Sequence, residues 1–336
     1  MLSVTAIVWG AGFVINDQLL AECFPAMPGL INALRFAVAS LCVIVAFAKK
    51  VHFTKTNWLY GAVSGAMLFG GFLLQLLGLN YSTPSHCGFF SAAYVLFVPL
   101  ITWIIGKKRP SLSTFAALAL ALAGMVILNY SAGESASGQA TLWGDLISLG
   151  GALMFGLQII WADYLLKGNK TDECTLTVTQ ILSCTAFFVV YTLAVESKNY
   201  SAVNFDFGFI WWRLLLMGAI GSAFGYYAQT YAQSTLTPFE TSLIIACESP
   251  IGAFLSVLVG IEALKWNVVV GGVLVVAAIV LCQVAPAKAK PSAADGANFP
   301  QSDAESSCTP NKFTEAQPTD LPSEESPSSA ADDPSM

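Results

Sequence analysis

The sequence predicts an all-α integral membrane protein, with ten transmembrane helices arranged as two inverted five-helix repeats. Three observations carry this expectation. The 336-residue chain is 55% hydrophobic and 11% charged, with a mean hydropathy of +0.66, whereas soluble domains average about 25% charged residues. Apolar runs of roughly bilayer-spanning length, about 20 residues, recur with connections too short to hold a soluble domain. The two halves of the chain also match each other.

The predicted spans are 2–20, 28–48, 58–79, 84–105, 111–130, 142–166, 174–195, 209–233, 238–259 and 265–284. The first lacks a basic leader and runs at once into further spans, so it reads as a span and not as a cleavable signal. The fourth opens on Thr83-Pro84, with proline at the first helical position and His86 in the first turn. The ninth opens on Thr237-Pro238-Phe239-Glu240, a capping box that gives Glu240 a local structural role. Trp58, Trp103, Trp143, Trp211, Trp212 and Trp266 cluster at predicted span ends, as an interfacial aromatic belt does. From Ala285 the chain is rich in Pro, Ser, Ala and acids, a composition that cannot bury enough apolar surface to fold.

Charge sets the expected orientation. With the N-terminus inside, the inner loops carry Lys49, Lys50, Lys55, Lys107, Lys108, Arg109, Lys167 and Lys170, and Lys288 and Lys290 follow the last span. The outer loops carry Lys198 and Lys265. This asymmetry places both termini in the cytoplasm and the protein in the cell (inner) membrane. The net charge of −6 comes from the tail, where nine acids face Lys288, Lys290 and Lys312; the remainder balances at 12 acids and 12 bases. No nucleic-acid partner is implied.

Sliding residues 75–128 forward by 154 places Gln75 on Gln229, Thr83-Pro84 on Thr237-Pro238 and Gly106 on Gly260. A shift of 146 places Trp9-Gly10 on Phe155-Gly156, and Asp17-Gln-Leu-Leu on Asp163-Tyr-Leu-Leu. An odd number of spans per copy makes the second copy enter the membrane from the opposite side, the inverted repeat of alternating-access transporters. The predicted organisation is a first repeat at 1–130, a second at 142–285 and a disordered acidic cytoplasmic tail at 286–336.

The strongest functional signal is Glu248, a carboxyl inside the apolar run Thr241 to Val259 with Pro250 two residues later. Charge at mid-membrane costs roughly 3 kcal/mol on insertion scales, so this carboxyl must be protonated, paired or facing an aqueous cavity. Pro250 lacks a backbone donor and frees a carbonyl one turn back. A buried structural carboxyl and a substrate or proton site are both open readings. Under the 154-residue offset its counterpart is Tyr94. Arg35 lies seven residues inside its span, about 10 Å deep, with Asn32 on the same face. It either pairs with Asp17 or binds an anionic group of a substrate. Gln75 and Gln229 are interhelical glue or cavity lining, and Trp9 is expected to wall a cavity by stacking. Asp163 and Gln180 occupy the mirrored inner positions.

The glycine pairs Gly61-xxx-Gly65 and Gly221-xxx-Gly225, with Gly70-Gly71 and Gly271-Gly272, predict close helix packing. Eight cysteines form no CxxC; Cys42, Cys184, Cys247 and Cys282 read as small hydrophobes, and spacing alone supplies no distance to pair Cys23 with Cys87. No metal site or cofactor is expected.

The order and spacing of several motifs resemble the drug/metabolite transporter superfamily, EamA type. Trp9-Gly10 and then Arg35-Phe36 look like its opening pattern. Tyr81-Ser-Thr-Pro-Ser through Tyr94-Val-Leu-Phe-Val-Pro99 is similar to its fourth-span motif, and Ala123-Gly124 to the end of its first repeat. Gly144-Asp145, Glu248-Ser-Pro250 and Gly260-Ile-Glu262 resemble its Gly-Asp, Glu-Pro and Gly-Glu signatures. Three positions depart from that pattern: the inserted Ser249, Gly106-Lys107 in place of Gly-Glu, and Asp17 where a basic residue is common. The resemblance implies a central cavity and secondary transport of small metabolites.

The expected function is therefore a secondary carrier exporting a small metabolite, with Glu248 titrating as a proton or substrate-amine site. Tyr94, Gln75 and Gln229 would line its cavity, and Arg35 and Asp17 would form an outer gate or anion site. Its partners are the substrate and membrane lipid, and a homodimer is compatible with the sequence. A channel or non-transporting scaffold is the alternative. An intramembrane enzyme is least favoured, because the chain offers only His52 and His86 and no HExxH.

Overall fold

The computed structural model describes residues 1–82, 84–106, 111–129, 142–261 and 266–284. Thr83, Lys107, Lys108, Arg109, Glu262, Lys265 and the acidic tail lie outside them, as does the His86 side chain. In chain order the helices are α1 (Leu2–Glu22), α2 (Pro28–Phe47), α3 (Lys55–Leu79), α4 (Pro84–Ser91), α5 (Tyr94–Gly106), α6 (Leu112–Asn129) and α7 (Leu142–Lys167). There follow α8 (Glu173–Tyr191), α9 (Phe207–Leu215), α10 (Gly225–Gln233), α11 (Pro238–Ile245), α12 (Glu248–Leu258) and α13 (Trp266–Val284).

Among the described residues, eight helical stretches are long and apolar enough to cross a membrane, from Leu2–Glu22 to Pro238–Leu258. Shorter apolar segments, Phe115–Gly124 and Val269–Ala278, lie within α6 and α13. Large apolar side chains point outward along these helices; Val45 is 87% exposed, as a lipid-facing residue would be. The six tryptophans expected at span ends are all exposed or at the edge of exposure. Only in lipid is such a surface stable, and the chain is a multi-pass membrane protein.

Two stretches are interrupted in the same way. Between α4 and α5 the helix is broken at Ala92 and Ala93; between α11 and α12 it is broken at Ala246 and Cys247. Short-range bonds close both breaks: Val95 N to Ala92 O at 3.1 Å and Ser249 N to Ala246 O at 3.1 Å. Pro250 explains the second break. It has no N–H to give the Ala246 carbonyl, and Ser249 takes that acceptor instead. The first break has neither proline nor glycine at its centre. The anticipated capping box at α11 is present, with Thr237 Oγ1 accepting from Glu240 N at 3.2 Å and Glu240 Oε2 accepting from Thr237 N at 2.8 Å.

A third irregularity joins α9 to α10. Residues Leu216–Phe224 form a π-helical stretch, a wider winding that displaces backbone carbonyls from the regular ladder. A second π-helical turn, Thr192–Glu196, extends α8 and leads into the 3₁₀ turn Ser197–Ala202. It places the Glu196 carboxylate over the start of α2, where Oε1 accepts from Gly29 N and Oε2 from Leu30 N, both at 2.8 Å. Those are two of the amides that a helix start leaves without intrahelical partners.

Helices from the first 130 residues pack chiefly on helices from the second half. α3 lies against α7 and α8, α2 against α8 and the π-helical stretch, and α1 against α12 and that same stretch. α4 and α5 pack on α7, α4 also meets α12, and α6 runs along α13. Glycines set the closest approaches. A Cβ at Gly65 would sit 2.7 Å from Gln180 O, and one at Gly61 would overlap Thr179. On α1, a Cβ at Gly10 would stand 2.7 Å from Glu248 O, so glycine there lets α12 begin directly against α1. Cys23 and Cys87 are both buried free thiols.

Candidate substrate-binding cavity

A partly open cavity lies where these helices meet. Trp9, Asn16, Arg35, Gln75, Tyr94 and Glu248 face it, together with Gly12, Phe13, Phe72, Phe155, Gln158, Ile159, Met217, Tyr226, Gln229 and Ile245. The lining is aromatic with a few convergent polar groups, as small-molecule sites are.

Each polar group is held by a definite element. Glu248 is the first residue of α12, placed by the Ala246–Cys247 break. Its Oε1 accepts a hydrogen bond from the Tyr94 hydroxyl at 2.9 Å. Tyr94 is itself the first residue of α5, placed by the Ala92–Ala93 break. Arg35 projects from the middle of α2, with its Nε donating to Ser222 Oγ at 2.7 Å. Its guanidinium lies over the Phe72 ring, 4.5 Å from the centroid. Trp9 Nε1 donates to Gly221 O at 2.6 Å, and its ring sits 5.3 Å from Tyr226. Gly221 and Ser222 both belong to the π-helical stretch, so its altered winding supplies the acceptors that hold Trp9 and Arg35.

A run of side-chain amides continues from the cavity toward α3 and α8. Gln229 Nε2 donates to Gln158 Oε1 at 2.9 Å, Gln158 Nε2 to Gln180 Oε1 at 3.1 Å, and Ser64 Oγ to the same Gln180 oxygen at 2.7 Å. Gln229 also approaches Gln233 Oε1 at 3.3 Å, and Gln233 donates to Ile159 O at 2.8 Å. These bonds tie α3, α7, α8 and α10 together through the apolar interior.

Six of the anticipated residues line the cavity: Trp9, Arg35, Gln75, Tyr94, Gln229 and Glu248. Asn32 and Asp17 do not. Asn32 is fully buried with its Nδ2 3.5 Å from Phe72 O. Asp17 is turned away by one helical step, and its neighbour Asn16 takes the cavity position. Arg35 Nε donates to Ser222 Oγ, and among the described side chains no ion pair joins it to Asp17. Asp163 pairs with Lys167 at 2.6 Å, and Lys167 Nζ also donates to Leu236 O at 3.0 Å.

Residues 1–130 and 142–283 match the EamA-like transporter family. The chain belongs to this family. It is thereby a member of the drug/metabolite transporter superfamily, and a membrane transporter by family. An uncharacterized transporter from Archaeoglobus fulgidus is 25% identical over 282 residues, covering 83% of each chain. A crystal structure of a protein 16% identical to this one superposes with a TM-score of 0.63, over 85% of this chain and all of its own. That likeness concerns the fold alone.

In this EamA-like chain twelve of the sixteen lining residues fall into six pairs under the two sequence offsets, Asn16, Arg35, Met217 and Ile245 being the others. Phe72 corresponds to Tyr226, Gln75 to Gln229 and Tyr94 to Glu248; Trp9 corresponds to Phe155, Gly12 to Gln158 and Phe13 to Ile159. The offsets therefore carried a signal for Phe72, Phe155, Gln158 and Tyr226, which were not singled out from sequence. Asn16, Met217 and Ser222 had no such signal.

Proposed function

We propose that this protein is a secondary active carrier that exports a small metabolite across the cytoplasmic membrane by alternating access. Its ten spans would form two inverted five-helix repeats, 1–130 and 142–285, with both termini inside and the acidic tail in the cytoplasm. Both halves contribute to one cavity, and that observation supports the proposal: six matched pairs of lining residues come from the two halves. The packing supports the same symmetry. Exchanging the halves converts the contact of α3 with α8 into that of α2 with the π-helical stretch, and the contact of α1 with α12 into that of α7 with α4 and α5.

Glu248 is the residue we assign to coupling. It is a buried carboxyl bonded to a neutral hydroxyl, open to the cavity, in a chain whose interior carries few other charges. A proton taken up or released there changes the charge of the binding site itself. Gln75, Gln229 and Tyr94 would line the substrate path, Trp9 would stack on the substrate, and Arg35 would hold it from the outer side. No chemical step on the substrate is assigned to the protein.

The test is transport by purified protein in proteoliposomes. Saturable flux with accelerated exchange when the opposite compartment is preloaded indicates a carrier. Flux that rises linearly with substrate concentration and shows no such exchange indicates a channel.

A further inference from the structure

A cluster of neutral polar side chains lies at one end of the cavity. Ser64 Oγ and Gln158 Nε2 both donate to Gln180 Oε1, at 2.7 and 3.1 Å, and Gln229 Nε2 donates to Gln158 Oε1 at 2.9 Å. One turn back along α8, Thr177 shares a hydroxyl bond of 2.8 Å with Thr230 of α10. These bonds fasten α3, α7, α8 and α10 together, and none of the side chains is more than 2% exposed. Gln158 and Gln229 line the cavity, whereas Ser64 and Gln180 lie behind them. Along α3, Ser64 comes between Lys55 and the lining residue Phe72, so the cluster stands on the side whose lysines point to the cytoplasm. The opposite end is fastened differently. An offset of 145 places Arg35 on Gln180 and Ser40 on Thr185, a pair that bonds at 2.8 Å between α2 and α8. Arg35 faces the cavity, and its guanidinium makes one hydrogen bond, to Ser222, among the described residues. The bridging Gln158 has Gly12 as its counterpart, which has no side chain to link helices.

Resting on the reading of this protein as a carrier, we propose that Ser64, Gln158, Gln180 and Gln229 form its cytoplasmic gate, that the gate is shut in this structure, and that the resting carrier therefore opens its cavity outward. Neutral amides suit a gate. Paired, they are buried with no charge to desolvate; parted, each must find water or another partner, so the cluster favours two states over a graded opening. Gln180 Nε2 tunes the balance. It is buried without an acceptor, and water reaches it when the helices part, so the open form gains a hydrogen bond that the shut form lacks. Gln158 and Gln229 belong to the lining and to the gate at once. A molecule in the cavity that draws either amide toward itself weakens the bonds behind it, which links occupancy to opening. The outer end lacks this bridge and is held at Arg35 by a single tie.

The experiment reads the access to residue 75 from each face. The full-length chain, with its native cysteines replaced, carries Gln75→Cys and meets membrane-impermeant thiol reagents on either side of oriented vesicles, with Lys170→Cys marking the inner face. Without substrate, labelling is expected to be faster from the outside. Gln180→Leu and Ser64→Ala are each expected to raise the inner rate roughly twofold to tenfold, the scale of one neutral hydrogen bond, while the outer rate does not rise. Ser222→Ala, which removes the outer tie, is expected to leave the inner rate unraised. Faster labelling from the inside in the parent chain overturns the proposal. So does a rise of both rates together in the gate variants, which marks general loosening, or a rise of neither. If Gln180→Leu fails to fold, the parent ratio and Ser64→Ala still decide. Gate variants that behave as expected without accelerated exchange in proteoliposomes would leave the gate standing and remove the carrier; accelerated exchange with an unmoved inner rate would do the reverse.

Discussion

Tyr94 and Glu248 stand 154 residues apart, and the Tyr94 hydroxyl donates to Glu248 Oε1 at 2.9 Å in the protein interior. The same offset relates Gln75 to Gln229 and Phe72 to Tyr226, all facing the same cavity. Under the proposed inverted repeat, equivalent positions of the two halves touch each other only near the axis that relates them. The pair is chemically asymmetric: the first half offers a donor, the second an acceptor.

Removing that donor tests the bond directly. Tyr94→Phe is expected to leave Glu248 Oε1 without its protein partner and to lower stability by about 1–3 kcal/mol, read as a lower thermal midpoint. Glu248→Gln retains the shape and can still accept from Tyr94. It is expected to fold, insert and lose pH-gradient-driven transport, measured as the difference in flux with and without an imposed gradient. A gradient response equal to wild type would remove Glu248 from coupling.

The helix approaches predict a contrast between two glycines. A Cβ at Gly65 would meet Gln180 O at 2.7 Å, backbone that cannot yield without moving α8. Gly65→Ala is expected to cost about 1–3 kcal/mol, as overpacking does. Gly106 has nothing within 4 Å of its added Cβ, and Gly106→Ala should fall within about 0.5 kcal/mol of wild type. Thermal unfolding in one detergent compares the two.

Glu196 predicts a stability effect far from the cavity. Its carboxylate receives the Gly29 and Leu30 amides and the Thr192 hydroxyl at 2.8, 2.8 and 3.0 Å. Glu196→Ala is expected to lower stability by roughly 2–3 kcal/mol through the exposed start of α2. Hydrogen exchange should rise at residues 29–31 before it rises at the middle of α2.

The amide run predicts a cost at Gln229. Gln229→Leu strands Gln158 Oε1 in an apolar interior, and about 1–3 kcal/mol of destabilisation is expected, together with reduced transport. Replacing both Gln158 and Gln229 with leucine should recover part of the stability, because both partners are then apolar, while transport stays low. A double variant no more stable than the single would mean that these amides do not act as a pair.

Much of the fold was legible because the bilayer leaves few choices: a backbone in hydrocarbon must be helical, so apolar length reveals each long helix. Pro250 marked the second helix break. The first, at Ala92–Ala93, carries no proline or glycine and became visible only through packing. The π-helical stretch Leu216–Phe224 was equally silent; its Gly221 and Ser222 meet Trp9 and Arg35 only once the helices are packed. At the site, charged and amide side chains in apolar runs stood out, as Glu248, Arg35, Gln75 and Gln229 did. Whether Asn16 or its neighbour Asp17 faces inward depends on helix rotation, which composition does not record. Tyr226 and Phe72 looked like ordinary core aromatics until their shared offset and shared cavity were seen together.

The most direct test of the account is the sidedness of residue 75. A single cysteine at Gln75, in a chain whose native cysteines are replaced by serine and alanine, is exposed to membrane-impermeant thiol reagents from each face of oriented vesicles. The account predicts labelling from either side in separate experiments, with a transported substrate changing the balance between the two rates. Labelling from neither side, or equal labelling from both that no substrate alters, would contradict a cavity that opens alternately.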